Sequence, residues 1–281
     1  MQDAFAYCAE LVRTADRDRF LTALFAPAEY RAALHALYAF NVEVARVREV
    51  AREPLPGEIR LQWWSEVVNG ERAEEAASNP IASALLAVIE RHRLAVPALT
   101  ALLDGRRFDL YDDPMARLAD LEAYARKTSA TLFAFAAQIL AGAEAEATEA
   151  VAASAGVAYA IASLIRAFPL HAARRQLYVP LELLDRHGIA AQDIFAGRSS
   201  KNLRAAFADL QDVARSHLRV AHQQIATLPD AALPALLPVA LVRPSLDRLA
   251  RNDPFAPAEL SPWRRQWLIW RAARNPARIA G

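Results

Sequence analysis

Hydrophobic positions along the chain recur at three- and four-residue spacing. Leu34, Leu37, Tyr38 and Val42 form one such series, Leu85, Leu86 and Ile89 a second, and Leu132, Phe135, Ile139 and Leu140 a third. This is the period of a helix that buries one face. Alternating runs bounded by turn pairs, the mark of strands, are nearly absent. Breaks come instead at prolines: Pro27, Pro54, Pro56, Pro80, Pro97, Pro114, Pro180, Pro229, Pro244 and Pro257. Proline lacks an N–H and fixes φ, so it ends one helix or opens the next. Ser78-Asn79-Pro80 reads as a cap followed by a proline in the first turn. The pattern predicts an all-α chain of about ten to twelve helices, several of them longer than about twenty residues. Without a linker or repeat, it predicts one domain over residues 1–281.

Composition narrows the function classes. With 54% hydrophobic and 23% charged residues the chain has the makings of a folded core, and disorder is excluded. A net charge of +1 gives no bulk attraction for nucleic acid. Only Lys127 and Lys201 are lysines, so 31 of the 33 basic residues are arginine. Eight glycines are few for a protein built on phosphate-cradling loops, and Cys8, the one cysteine, rules out an intrachain disulfide or a Cys-based zinc site. Residues 1–10 lack the basic run and apolar core of a secretory leader. The uncharged apolar stretches 131–143 and 231–242 fall short of the roughly 20 residues of a membrane span. The expectation is a cytoplasmic protein, at most peripheral on a membrane.

Three segments invite chemistry. Residues 142–163 are mostly small, with Ala152, Ala153, Ala155, Gly156, Ala158, Ala160 and Ala162. Such a helix lets neighbours approach closely or leaves room for a cavity, although high helix propensity accounts for it equally well. Asp109, Asp112 and Asp113 would share one helical face and are the best available Mg²⁺ candidates. Pro114 follows them directly, so a solvated helix end is the preferred reading. Between Glu149 and Glu182 there is no acid, while Arg166, His171, Arg174 and Arg175 all fall in that window.

Arg19-Phe20-Leu21, Phe25-Ala26-Pro27 and the run Ala33-Leu34-His35-Ala36-Leu37-Tyr38-Ala39-Phe40 resemble the opening of the squalene/phytoene synthase family. Tyr124 with Thr128-Ser129-Ala130-Thr131 resembles its mid-chain helix, and Arg166 with Leu177-Tyr178-Val179-Pro180 its second signature. The resemblance covers roughly residues 7–271 and implies the isoprenoid synthase fold, a helical bundle around a central cavity. In active members, aspartates at two signatures bind Mg²⁺ and prenyl diphosphates. Laid onto this chain, the first signature's acids fall at Ala45, Arg46 and Glu49, and the second's at Ala167 and His171. Only Glu49 is acidic. Arg46 also sets a positive charge where a dication would sit, a repulsion of roughly a few kcal/mol at intermediate dielectric.

The residues that are present, Ala39-Phe40-Asn41-Val42-Glu43 with Arg46-Val47, Arg60-Leu61-Gln62-Trp63-Trp64, and Arg166-Ala167 with Pro169, His171 and Arg174-Arg175, resemble one branch of that family. It is the branch that contains a mitochondrial respiratory complex I assembly factor and bacterial relatives. That resemblance implies a non-catalytic protein acting in NADH dehydrogenase assembly, partnered by complex I subunits or other assembly proteins and needing no cofactor. One alternative is an active head-to-head prenyltransferase using Mg²⁺. The other is a metal-independent binder of an isoprenoid or anionic lipid, its substituted cavity lined by Asn41, Ala45, Arg46, Glu49, Arg166, Ala167, His171, Arg174 and Arg175. Guanidinium groups grip phosphate or carboxylate without a metal. The preferred reading of these arginines is plainer: several pair with Glu43 or Glu49 or face water, and His171 is packed.

Trp263, Trp267 and Trp270 recur at i, i+4 and i+7, with Arg264, Arg265 and Arg271 on other sides. This suits an interfacial helix on an anionic membrane. It also suits a final helix docking its aromatic stripe on the core, which is the expectation carried forward. Trp63 and Trp64 are expected as core and pocket wall.

Overall fold

Helix starts follow from local chemistry. Asn79 Oδ1 accepts the backbone N–H groups of Ile81 and Ala82 at 3.0 and 3.1 Å, and Pro80 takes the first helical position. Ser200 caps the helix after it by accepting from Leu203 N–H. Pro27 and Pro180 hold N-cap positions, and Pro54 and Pro97 lie in first turns. The resulting computed structural model describes residues 2–51 and 53–281; Met1 and Arg52 lie outside the described residues.

The described residues form helices and no strands: α1 (Gln2–Ala15), α2 (Arg17–Ala23), α3 (Ala28–Ala45), α4 (Val47–Val50), α5 (Pro54–Val68), α6 (Ala73–Ser78), α7 (Pro80–His92), α8 (Val96–Arg107) and α9 (Leu118–Ala125). They continue as α10 (Thr131–Ala141), α11 (Glu149–Ala173), α12 (Leu181–Arg186), α13 (Ala191–Phe195), α14 (Lys201–Ile225), α15 (Leu233–Leu236), α16 (Val242–Leu249) and α17 (Pro262–Arg274). Only α11 and α14 exceed twenty residues, at 25 each, so the expected several long helices reduce to two. The backbone breaks at Arg46, whose φ of −100° and ψ of 8° separate α3 from α4.

Two apolar cores organise the chain. One gathers Leu34, Leu37, Phe40, Trp64, Leu85 and Leu102 from α3, α5, α7 and α8, with α1 packed against α3 and α7. Trp64 sits edge-on to Phe40 at 5.1 Å between ring centres, as the core reading of the Trp pair anticipates. The other core is built around the α11–α14 pair, with Ile161, Phe168, Phe207, Leu210 and Leu246. α10 serves both, turning Phe135 and Ile139 to the first and Phe133 to the second. By length and composition the helical run Leu118–Ala173 is apolar enough to cross a membrane, although no uncharged stretch in it is long enough alone. Most of its apolar window is buried inside the fold, so internal packing accounts for it.

α17 reverses one expectation. Its inward face is Ile269 with Leu268, seated on Leu241, Leu260 and Leu21, and Ala272, which joins the core around α11 and α14. Trp263, Trp267 and Trp270 point outward and are 82%, 51% and 45% exposed. The narrow aliphatic face fits the seat, and the indoles do not enter it.

Candidate functional site

Between α9 and α10 the backbone widens into a π turn over Arg126–Ala130, a geometry that often accompanies functional sites. Gly156 of α11 lies against it, and this close approach puts Thr128 and Ser129 beside Tyr159, Ala160 and Ser163 of α11. Together they wall a polar cavity of about 400 Å³. Asp16, Asp18 and Arg19 enter it from the start of α2, Asn41 and Ala45 from α3, Arg106 from α8, Arg166 from α11, and Glu259 and Arg265 from the C-terminal region.

Arg19 is buried and ion-paired to Asp16 at 2.6 Å. Its guanidinium lies 5.0 Å from the Tyr159 ring centre and 5.7 Å from that of Tyr38. Burial works against its charge, yet Tyr159, Asp16 and Tyr38 together hold its pKa above the ordinary value. Asp18 pairs with Arg265 at 3.5 Å; burial nevertheless lifts its carboxyl above the ordinary carboxylate range. The Nε atoms of Arg106 and Arg265 are buried and have no protein partner.

Arg106 and Tyr124 in the cavity wall are backed by a polar network centred on Asp109, which is only 7% exposed. Arg106 donates to Tyr124 Oη at 2.8 Å and to the Asp109 carboxylate at 3.2 Å. Tyr124 and Tyr178 donate their hydroxyls to Asp109 Oδ1 at 2.9 and 2.7 Å, and Gln176 donates to its backbone carbonyl. Burial and the neighbouring carboxylate push both phenols upward in pKa. The expected solvated Asp109/Asp112/Asp113 helix end is therefore corrected. α8 tightens into a 3₁₀ turn over Phe108–Leu110 and the chain then extends at Tyr111. That change of backbone separates the acids: Asp109 turns inward, while Asp112 turns out to Arg48 at 2.8 Å and Asp113 is exposed.

The residues singled out from the sequence do not form one pocket. Asn41, Ala45 and Arg166 line the cavity. Arg46 and Arg174 instead both bind Glu49, at 3.0 and 3.3 Å, in a half-exposed cluster that joins the two signature segments. Burial would raise the Glu49 carboxyl, but the hydrogen bonds from the two arginines prevail and hold it below the ordinary range. Arg175 is exposed and stacks over Phe195 at 4.7 Å, and Ala167 is half-buried beside Arg166. His171 packs at 4.6 Å from the Tyr178 ring, in a nearly filled apolar crevice with Phe168 and Phe207. Sequence reasoning missed Asp16, Asp18, Arg106, Tyr159, Glu259 and Arg265. The alternation Asp16-Arg17-Asp18-Arg19 was the one available signal, because four consecutive charges at a helix start are unusual unless some pair inside the fold.

Burial, and then Arg174, lower the His171 pKa from 6.5 to about 4, with Glu49 opposing. Between those values the unfolded chain binds the extra proton and the folded one does not, so stability falls as pH drops through that window. Wild type is expected to lose about 2–3 kcal/mol more than His171→Gln between neutral pH and pH about 4. Urea unfolding across that range measures it; parallel losses in both proteins would remove His171 as the cause.

The carboxylates that a synthase would use for Mg²⁺ do not assemble here. Among the described residues, no three His, Cys, Asp or Glu side chains are placed to share a metal ion. Glu49, the one acid retained at the signature positions, has both oxygens engaged by arginine. The donor set does not fit the family's metal cluster.

Comparison with known proteins agrees with this architecture. The family model for squalene/phytoene synthase matches residues 12–271. The chain is 31% identical to the rat (Rattus norvegicus) protein named NADH dehydrogenase (ubiquinone) complex I, assembly factor 6, over 89% of this chain and 75% of that one. It is 29% identical to phytoene synthase of Thermus thermophilus, covering 93% and 91% of the two chains. A crystal structure of a dehydrosqualene synthase in complex with ligand superposes with a TM-score of 0.84 at 16% identity, covering 96% of this chain and 95% of that one. The helices thus adopt the isoprenoid synthase fold, and the chain belongs to the squalene/phytoene synthase family.

Proposed function

We propose that this chain is a synthase-like protein without catalytic chemistry that supports assembly of a respiratory NADH dehydrogenase. The observation that carries the reading is the Arg46–Glu49–Arg174 cluster. In a synthase the two signature segments are acidic and are held together by the cations between them. Here Glu49 and Arg174 attract each other directly, and the remaining signature positions are Ala45, Arg46, Ala167 and His171. The exchange leaves a closed structural contact where a metal-dependent reaction would begin. Similarity to the assembly factor supplies the direction of the role. On this reading the partners are NADH dehydrogenase subunits or other assembly proteins, Mg²⁺ is not required, and the protein works peripherally on the inner face of the energy-coupling membrane.

A strain lacking the gene is expected to lose most of its assembled NADH dehydrogenase on native gels, with NADH oxidation falling in proportion. Normal assembly in that strain would sink the proposal. Incubation of the purified protein with farnesyl or geranylgeranyl diphosphate and Mg²⁺ is expected to yield no condensation product; a product would restore the prenyltransferase reading.

The unpartnered Nε atoms of Arg106 and Arg265 favour a second reading, a cavity that holds an anionic isoprenoid or lipid headgroup without metal. Farnesyl diphosphate binding would then be insensitive to chelator and weakened about tenfold or more by Arg166→Ala, as loss of a charge-assisted contact predicts. Binding unchanged in that variant would reject this reading.

A further inference from the structure

The outward face of α17 is unlike the rest of the surface. Trp263, Trp267 and Trp270 form a stripe along it, the largest apolar side chains the protein leaves in water. Arg271 stacks over Trp267 at 4.2 Å and Arg274 over Trp270 at 4.3 Å, and Arg264 is exposed on the first turn. Between Leu260 and Gly281 there are five arginines and no acid. The opposite face is fixed: Ile269 and Ala272 are buried, and Arg265 is tied to Asp18. The helix is therefore held in place with its aromatic, cationic face unpartnered. α2 packs against it and is followed directly by Leu24 and Phe25, both exposed.

We infer that this face is a docking surface for an anionic phospholipid bilayer, on which α17 lies in the plane of the headgroups. Indole rings favour the boundary between headgroup and acyl chain, where the apolar body is buried and the N–H stays wet. Arginines stacked on those rings sit at the depth of the lipid phosphates and grip them through guanidinium forks. The charge pattern chooses the occupant. Val50, Leu55 and Ile59 are also exposed, but the charges beside them in sequence are mixed, Glu53 and Glu58 with Arg60, and do not make a one-signed rim. The inference rests on the peripheral placement proposed above, but not on the assembly role.

The test is flotation of the purified full chain with vesicles of phosphatidylcholine alone or doped with phosphatidylglycerol. Wild type is expected to bind the anionic vesicles, to shift its tryptophan emission to the blue, and to release as salt rises. The triple variant Trp263→Ala, Trp267→Ala, Trp270→Ala is expected to lower the partition coefficient about tenfold or more, and Arg264→Gln, Arg271→Gln, Arg274→Gln to remove the preference for anionic lipid. The two sets remove exposed groups, and a helical circular-dichroism spectrum with an unchanged unfolding midpoint verifies folding. Binding by wild type that survives the tryptophan changes would overturn the α17 inference while leaving peripheral placement intact. Failure of wild type to bind anionic vesicles would overturn both. Equal binding to neutral vesicles, or a stripe-dependent dimer in sedimentation without lipid binding, would overturn the lipid assignment.

Discussion

Gly156→Ala is expected to destabilise the protein by about 3 kcal/mol, against the usual gain of nearly 1 kcal/mol for that exchange in a helix. A Cβ at position 156 would lie 2.3 Å from Ala130 Cα and 2.5 Å from Ala130 N. Both are backbone atoms of the π turn, so neither can rotate aside. Either α11 moves off α10 or the π turn deforms, and both outcomes disturb buried surface on the two sides. Gly156→Val adds two methyl groups to the same contact and is expected to prevent stable folding. Ser154→Ala, in the same helix but only half-buried, serves as the control and is expected to change stability by no more than about 0.5 kcal/mol. Urea midpoints compared at constant slope measure the difference; a Gly156→Ala protein as stable as wild type would remove the close approach as a requirement of the fold.

That contact explains the small-residue run in α11, whose two sequence-level readings both hold in part. Gly156 admits the π turn, and Ala160 with Ser163 leaves space for the cavity one turn and two turns further on. Helix periodicity and proline positions were legible because they depend on neighbours within one or two turns. The cavity was less so. Asp16 and Asp18 stand out locally only as members of a charge run, Arg265 looks like a surface charge, and only the meeting of α2 with α17 puts Asp18 and Arg265 within 3.5 Å. The orientation of α17 was illegible for a related reason. Its sequence carries two apolar faces, the indoles and the pair Ile269/Ala272, and periodicity alone does not rank them. The seat formed by Leu21, Leu241 and Leu260 decides in favour of the smaller side chains.

The exchange at the signatures was legible as a list of substitutions, but not as a bond. Sequence showed Arg46 where an acid is expected and Arg174 a few residues beyond the second signature. It did not show that both arginines reach Glu49, 125 positions from Arg174, and consume its two oxygens. The basic window between Glu149 and Glu182 therefore splits by direction: Arg166 faces the cavity, Arg174 ties the signatures together, and Arg175 covers Phe195. Arg166 lies within α11, whereas Arg174 caps the end of that helix and Arg175 follows it with a left-handed φ of 59°, so the turn at the helix end delivers these charges to different neighbours.

Asp109→Ala is expected to cost about 3–5 kcal/mol, the range for deleting one partner of a buried charged network. The carboxylate accepts from Tyr124, Tyr178 and Arg106, and its removal leaves two phenols and a guanidinium short of acceptors in a wall that water reaches poorly. Arg106 suffers most, because its Nε already has no protein partner. Asp109→Asn keeps the shape and one acceptor oxygen but replaces the charge, and about half of the loss is expected to remain. Asp112→Ala is the internal comparison: its carboxylate pairs with Arg48 at the surface, and its removal is expected to cost less than about 1 kcal/mol. The three acids at 109, 112 and 113 read identically in sequence, so unequal urea midpoints for Asp109→Ala and Asp112→Ala test the inward turn of Asp109 itself. Similar small losses for both would mean that the Tyr124–Asp109–Tyr178 network contributes no net stability. A large loss at Asp109 alone would identify it as the acid that holds Arg106 in the cavity wall.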